Sequence, residues 1–302
     1  MSKTLIGMVT FGNLPFTQLS IKGIRETVNK PYDIFIVVGK PEDQETINWL
    51  NKENIPFIWH EENYGFPYSI NDLYDYAWKL NNYDNLVIIG NDVIPYKYSI
   101  DSLIEVADKT DHEWICAREY NVKNLVTDFP QSRNYFSGAS MIFNFQGEPW
   151  KLFDKESSKI VLNSAGLSDV HNLALYKKIV LDKIGYIDSN YFPAYYSDND
   201  IVRRAISVGT KSCSAGNAFY FHFWSRTIHQ GSGGSDNRYF ENNRTYYKNK
   251  WGGDFGKEKY DLPFMGKEYY SLESLRIKNQ GLNIQDRSYE KDVINFWKRR
   301  HG

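Results

Sequence analysis

The chain has 302 residues, with 36 Lys and Arg against 37 Asp and Glu and a net charge of -1. That balance argues against a general nucleic-acid binder, which shows a basic excess, and leaves room only for a local basic patch. Hydrophobic residues make up 41% and charged residues 24%, so a substantial core is available and long disorder is excluded.

The opening MSKTLIGMVTFG lacks a signal-peptide pattern, and its apolar run, residues 5–10, reads as a buried strand. Residues 16–28 carry Leu19, Ile21, Ile24 and Val28 at helical spacing behind Pro15. Residues 33–38 (DIFIVV) form a second strand, bounded by Gly39 and Pro41. A helix over 42–53 turns Ile47, Trp49 and Leu50 inward, and a third strand follows over 55–59. Residues 68–80 place Ile70, Leu73, Tyr74, Ala77 and Leu80 on one helical face. A fourth strand lies over 85–89 (NLVII) and a further helix over 100–107. Continuous Val/Ile runs alternating with amphipathic helices predict an α/β fold, a mainly parallel central sheet flanked by helices on both faces.

The second half is less regular. It predicts a strand over 135–144 and a helix over 173–184 with Leu175, Ile179 and Val180 inward. An aromatic loop over 186–196 leads into a helix over 201–208 stopped by Gly209, then a strand over 218–223 and a mobile Gly/Ser-rich loop over 229–237. Cys116 and Cys213 are too few for a disulfide framework and suit reduced thiols. No segment has 18 unbroken apolar residues. The expectation is a soluble, cytoplasmic protein with one domain over residues 1–252. A charged C-terminal extension, 253–302, suits oligomerisation or docking at a membrane surface.

Ligands in parallel sheets bind beyond the carboxyl ends of the strands. Gly90-Asn91-Asp92 stands at such an end, where one carboxylate can ligate a divalent ion that also holds a diphosphate; an Asx turn is the plainer use of the same residue. Ser197-Asp198-Asn199-Asp200 opens a helix. One of the two aspartates suits capping, and the other suits a general base beside an acceptor hydroxyl. His222 ends an aromatic strand, and Asn63-Tyr64-Gly65-Phe66 with Asn71 can turn a helix N-terminus toward an anion. Tyr191, Phe192, Tyr195 and Tyr196 precede the Asp198 segment, and their faces suit stacking on pyranose rings or packing in the core.

In order and spacing these pieces resemble the family 2 glycosyltransferases of GT-A type, rhamnosyltransferase-like members in particular. The resemblance covers roughly residues 4–252 and rests on Val9-Thr10-Phe11, Glu62-Asn63-x-Gly65 with Asn71, Asn91-Asp92, Gly138-Ala139, IGYID over 184–188, YYSDNDIVRRA, His222, and YFENNRTYYKNKWGG over 239–253. It implies a GT-A-type nucleotide-diphospho-sugar transferase fold and inverting transfer from a nucleotide-diphosphate sugar to an acceptor hydroxyl, a glycan in the first instance. Donor contacts would come from Thr10, Phe11, Gly12, Gly39, Asn63, Gly65, Asn71, Asn91 and Asp92. Mn²⁺ or Mg²⁺ would sit on Asp92 with His222, Asp198 would be the general base, and Tyr195, Tyr196 and Gly138 would meet the acceptor.

Three positions depart from the family pattern. Gly90 replaces the first acid of the DxD, Ser197 replaces the Glu before the base, and Gly39-Lys40-Pro41 replaces the acidic turn that meets the nucleobase, leaving Glu42 or Asp43 to compensate. Arg203, Arg204 and Lys211 are further candidates for positive charge near the diphosphate, each with an ion-pair role as the plainer use. Three other readings compete. A nucleotidyltransferase needs a basic Gly-rich loop after the first strand, and Phe11-Gly12-Asn13-Leu14-Pro15 has no basic residue. A non-catalytic glycan-binding relative would have no need of both Asp92 and Asp198. A transferase acting on DNA bases would use Lys248, Lys250 and the Lys298-Arg299-Arg300 tail on phosphates.

Overall fold

The computed structural model describes residues 2–119, 162–163, 172–223 and 237–266. The expected strand over 135–144, Gly138, Trp224, residues 229–236 of the Gly/Ser-rich loop and the tail beyond 266 lie outside them. In chain order the elements are β1 (Thr4–Thr10), α1 (Leu14–Thr27), β2 (Asp33–Val38), α2 (Gln44–Lys52), β3 (Phe57–Trp59) and α3 (Phe66–Asp75), which runs on into a π-helical turn (Tyr76–Leu80). Then come β4 (Asn85–Gly90), β5 (Val93–Pro95), α4 (Ser99–Lys109), β6 (Trp114–Glu119), β7 (Leu162–Asn163), β8 (Leu173–Lys177), α5 (Lys178–Ile184), α6 (Ser197–Ser207), β9 (Ser212–His222) and α7 (Asn237–Trp251).

The chain is an α/β protein with a mainly parallel central sheet flanked by helices. The strand order is β3-β2-β1-β4-β8-β6-β9-β5, with β7 paired to β9. β1 is parallel to β2 and β4, β2 is parallel to β3, and β6 is parallel to β9. β8 lies antiparallel between β4 and β6, so β6 and β9 run the same way as β1 to β4. Their carboxyl ends therefore fall on one edge of the sheet.

Alternation along each strand feeds two cores. Leu5, Val9, Phe35 and Val37 join Leu73, Tyr74, Trp114 and Ile201 on the α3/α6 face. Ile6, Met8, Ile36 and Val38 join Ile21, Ile24, Leu50 and Ile104 on the α1/α2/α4 face. Both faces are covered, which is why these strands read as unbroken apolar runs; each buried aliphatic side chain contributes about 1.5–3 kcal/mol. At Gly7 a Cβ would lie 3.0 Å from Leu73 Cδ1 and 3.1 Å from Leu86 Cδ1, so the glycine lets α3 settle on the sheet.

One expected element is corrected. Leu173–Lys177 is a strand, and helix begins only at Lys178. A short apolar run has no period long enough to separate strand from helix, and antiparallel pairing with both β4 and β6 decides the matter. The shift takes Ile179 out of the core, where it is 44% exposed. Among the described residues no helix is long and apolar enough to cross a membrane.

Candidate active site

The parallel register sets Thr10 beside Val38 and Val9 beside Gly90, so the segments after β1, β2 and β4 meet at the carboxyl edge. Thr10 and Asn91 are buried. The Thr10 hydroxyl donates to the Gly12 carbonyl at 3.1 Å and lies 2.9 Å from Thr17 Oγ1. Asn91 Nδ2 donates to both hydroxyls at 3.4 Å. These groups brace the turn that presents Asp92.

Asp92 Oδ1 lies 3.4 Å from His222 Nε2, because β5 pairs Val93 with His222 across the sheet and the Phe223 amide donates to the Asp92 carbonyl at 3.0 Å. Gly90, where the DxD pattern has its first acid, has no room for a side chain: a Cβ would stand 2.9 Å from Val93 Cγ2. A third group, absent from the sequence expectations, joins the pair. Glu119 ends β6, beside β9, and its Oε2 lies 4.0 Å from His222 Nδ1. An acid closing the apolar run WICARE is the signal that marks it.

Among the described residues no group of three or more His, Cys, Asp or Glu side chains is arranged to hold a metal ion. Asp92 and His222 nevertheless suit two sites of one shell, since adjacent ligands on an octahedral ion with bonds of roughly 2.1 Å stand about 3 Å apart. A carboxylate and an imidazole leave the remaining positions to diphosphate oxygens and water, as Mg²⁺ and Mn²⁺ prefer.

Nearby, Gly12 has φ +74°, and a Cβ there would meet Lys40 Cδ at 3.2 Å. The exposed Lys40 side chain thus lies over the β1 turn, and Phe11 and Gly39 lie beside it, with Phe11 Cδ2 3.6 Å from the position of a Gly39 Cβ. Of the two acids considered as substitutes at this turn, Glu42 is exposed and Asp43 is buried. Asp43 Oδ1 caps α2 through the Thr46 amide at 3.3 Å, and its Oδ2 is buried with no hydrogen-bond partner.

The Asn63–Gly65 turn serves a different end from an anion nest. Asn63 Oδ1 accepts from the Gly65 amide at 3.0 Å, and the Phe66 amide donates to the Pro193 carbonyl at 2.7 Å. Asn71 is buried, and its side-chain amide is used on both sides by the Ile187 backbone, at 2.7 and 2.8 Å. These residues clamp the loop over 186–196 onto α3. Gly65 has φ +85°, and a Cβ there would lie 2.9 Å from Phe192 Cδ2 and 3.1 Å from the Pro193 carbonyl oxygen. Gly65→Ala is expected to cost about 1–3 kcal/mol, read as a lower urea midpoint.

That loop delivers α6, and the two aspartates at its start part company. Asp200 is fully buried and bonds Arg204 Nε at 2.9 Å, Lys250 Nζ at 2.8 Å and Trp251 Nε1 at 2.9 Å. Burial opposes its ionisation, but the Lys250 and Arg204 cations outweigh it and hold the carboxyl below its ordinary value. Lys250 also bonds the buried Asp188 at 2.8 Å, and Asp188 takes a further bond from the Tyr246 hydroxyl at 2.8 Å. Asp198 is solvent-accessible instead, with Oδ1 accepting from the Asn199 amide at 2.9 Å. Protein around it withdraws enough water to push its carboxyl above the ordinary 3.8.

The network corrects several charge expectations. Arg204 and Lys250 are fully buried ion-pair partners, so neither reaches a phosphate. Lys211 pairs with Asp111 at the amino end of β9, across the sheet from the site, and Lys248 pairs with Asp254. Arg203 donates to the Tyr260 carbonyl. Tyr191 belongs to the core, whereas Phe192, Tyr195 and Tyr196 remain partly exposed.

Many solved structures resemble this chain, two of them as follows. One is S. aureus TarS, residues 1–349, at 11% identity and a TM-score of 0.48, covering 73% of this chain and 60% of that one. The other is the mannosyltransferase PcManGT from Pyrobaculum calidifontis in complex with GDP-Man and Mn²⁺, at 13% identity and a TM-score of 0.47, covering 74% and 58%. The chain thus spans about three fifths of each. No family model and no curated protein matches it.

Proposed function

We propose that the chain is an inverting glycosyltransferase that moves a sugar from a nucleotide-diphosphate sugar to a hydroxyl of a glycan acceptor. The observation that carries this reading is the contrast between neighbouring aspartates. Asp200 is consumed by four buried partners, Arg204, Lys250, Trp251 and Tyr191, while Asp198 stands at an exposed position, accepts from the Asn199 amide and has its carboxyl pushed up. A carboxylate freed from structural duty, with its proton affinity raised, is what a general base requires. The sequence resemblance and the acid–imidazole pair at the carboxyl edge support the same reading.

In this mechanism Asp198 takes the proton of the acceptor hydroxyl as its oxygen attacks the anomeric carbon. The bond from that carbon to the diphosphate oxygen breaks on the opposite face, which inverts the centre. Asp92 and His222 would hold a divalent ion, which supplies neutralisation of the departing diphosphate. Lys40 adds a cation at the β1 turn, and Asp43 Oδ2, buried there without a partner, meets a nucleobase N–H once that turn opens.

The test is a thermal-shift series with UDP, GDP, dTDP and CDP sugars, each with Mn²⁺, Mg²⁺ or EDTA. One nucleotide is expected to raise the melting temperature in a metal-dependent way, the stabilisation reaching about 2.7 kcal/mol at a hundredfold excess over Kd. Asp43→Ala is expected to weaken that donor roughly tenfold or more, the loss of a charged hydrogen bond of about 1.5–3 kcal/mol. An unchanged affinity removes Asp43 from the site.

A further inference from the structure

Just before the Asp198 helix, two consecutive non-glycine residues hold left-handed backbone, Tyr195 at φ 75° and Tyr196 at φ 64°. Asn243 of α7 is fully buried and donates from Nδ2 to the Ala194 carbonyl at 2.7 Å and the Tyr195 carbonyl at 3.2 Å, pinning this conformation. The rings it sets out meet two aromatic residues of α7. Phe240 lies edge-on to Tyr195 at 5.5 Å and tilted to Tyr196 at 5.3 Å, and Tyr239 lies edge-on to Phe192 at 5.7 Å. Tyr239 and Phe240 are each 38% exposed. These rings thus gather at one place, beside backbone held in an unfavourable region of the kind that clusters at ligand sites.

We propose that Tyr239 and Phe240, with Phe192 and Tyr195, form a stacking platform for a pyranose ring of the acceptor glycan; this rests on the transferase reading for the ring's role as acceptor. The occupant follows from size and chemistry. The two open rings offer on the order of 150 Å², given that such side chains bury about 150–250 Å² in full, against about 800 Å² per partner in a standard protein interface. The area suits a sugar ring and falls far short of a second copy of the chain. A pyranose presents a face of C–H groups to an aromatic face and keeps its hydroxyls for water and polar neighbours. Tyr196, which packs on Phe240 at 5.3 Å, also feels the charge of Asp198, so the rings and the base share one region of the surface.

The experiment is capture on a glycan array by full-length protein, beside the donor thermal shift. The wild type is expected to hold at least one class of glycan. Tyr239→Ala/Phe240→Ala should lose tenfold or more of that signal at an unaltered unliganded melting temperature, while Tyr239→Phe and Phe240→Tyr, which keep the faces, retain it. Equal capture by the double alanine variant overturns the platform, as does a wild type that binds a donor and no glycan. A dimer that the double alanine variant dissolves also overturns it. Glycan capture through these rings without any donor shift leaves the platform standing and removes the transferase reading instead.

Discussion

Asp198→Asn is expected to lower turnover by about 10²–10⁴-fold, the usual contribution of a positioned general base. The readout is release of nucleoside diphosphate, with acceptor or with water in its place. The variant keeps the volume and the hydrogen bond that Asp198 accepts from the Asn199 amide, and it removes only the ability to take a proton. The pH profile carries the same signature. Protein packed around the carboxyl of Asp198 excludes water from it and raises it above 3.8, so activity falls as pH drops through that raised value, and the acid limb lies above the range of an ordinary aspartate. The native state holds this proton to a higher pH than the unfolded chain does. Ionisation of Asp198 therefore weakens the fold as pH rises through that window, and Asp198→Asn should leave the melting temperature at neutral pH undiminished. A variant that loses activity by unfolding would show the opposite.

Lys250→Met is expected to destabilise the protein by about 3–5 kcal/mol, read from urea unfolding. Lys250 is fully buried and is the cation shared by Asp188 and Asp200. Removing it leaves Asp188 without the ammonium and Asp200 with Arg204 as its remaining cation, in a region where water cannot compensate. A total stability of about 5–15 kcal/mol makes this a large fraction. The double variant Lys250→Met/Asp188→Asn should recover part of the loss, because one stranded charge goes with its partner. The network is no general store of stability, since desolvation offsets much of what such pairs gain. Its effect is positional. It ties α7 to the loop over 186–196 and to the first turn of α6, and so fixes where Asp198 stands.

The first half of the fold was legible because the physics there is local. Phe35–Val38 and NLVII are buried on both faces and alternate with helices whose apolar spacing is plain. Leu173–Lys177 is ambiguous in sequence because four consecutive buried residues fit either period until two antiparallel neighbours claim them. At the site, Asp92, His222 and Asp198 stood out as acids and an imidazole beside strand and helix ends. Glu119 did not, because its strand was not recognised. The clamp roles of Asn71 and Gly65 were hidden for another reason. Their partners Ile187 and Pro193 lie more than 100 residues away, and no local pattern announces such a contact. Lys250 and Arg204 read in sequence as candidate phosphate cations, with an ion pair the plainer use of Arg204, since only the fold shows that each meets a buried carboxylate.

The most direct measurement is donor binding by the wild type, Asp92→Ala and Asp198→Asn, read as the thermal shift given by the same nucleotide sugar with Mn²⁺ and with EDTA. The account predicts a metal-dependent shift in the wild type, the same shift in Asp198→Asn, and loss of its metal-dependent part in Asp92→Ala. Equal loss in both variants, or no shift from any nucleotide sugar in the wild type, would contradict it.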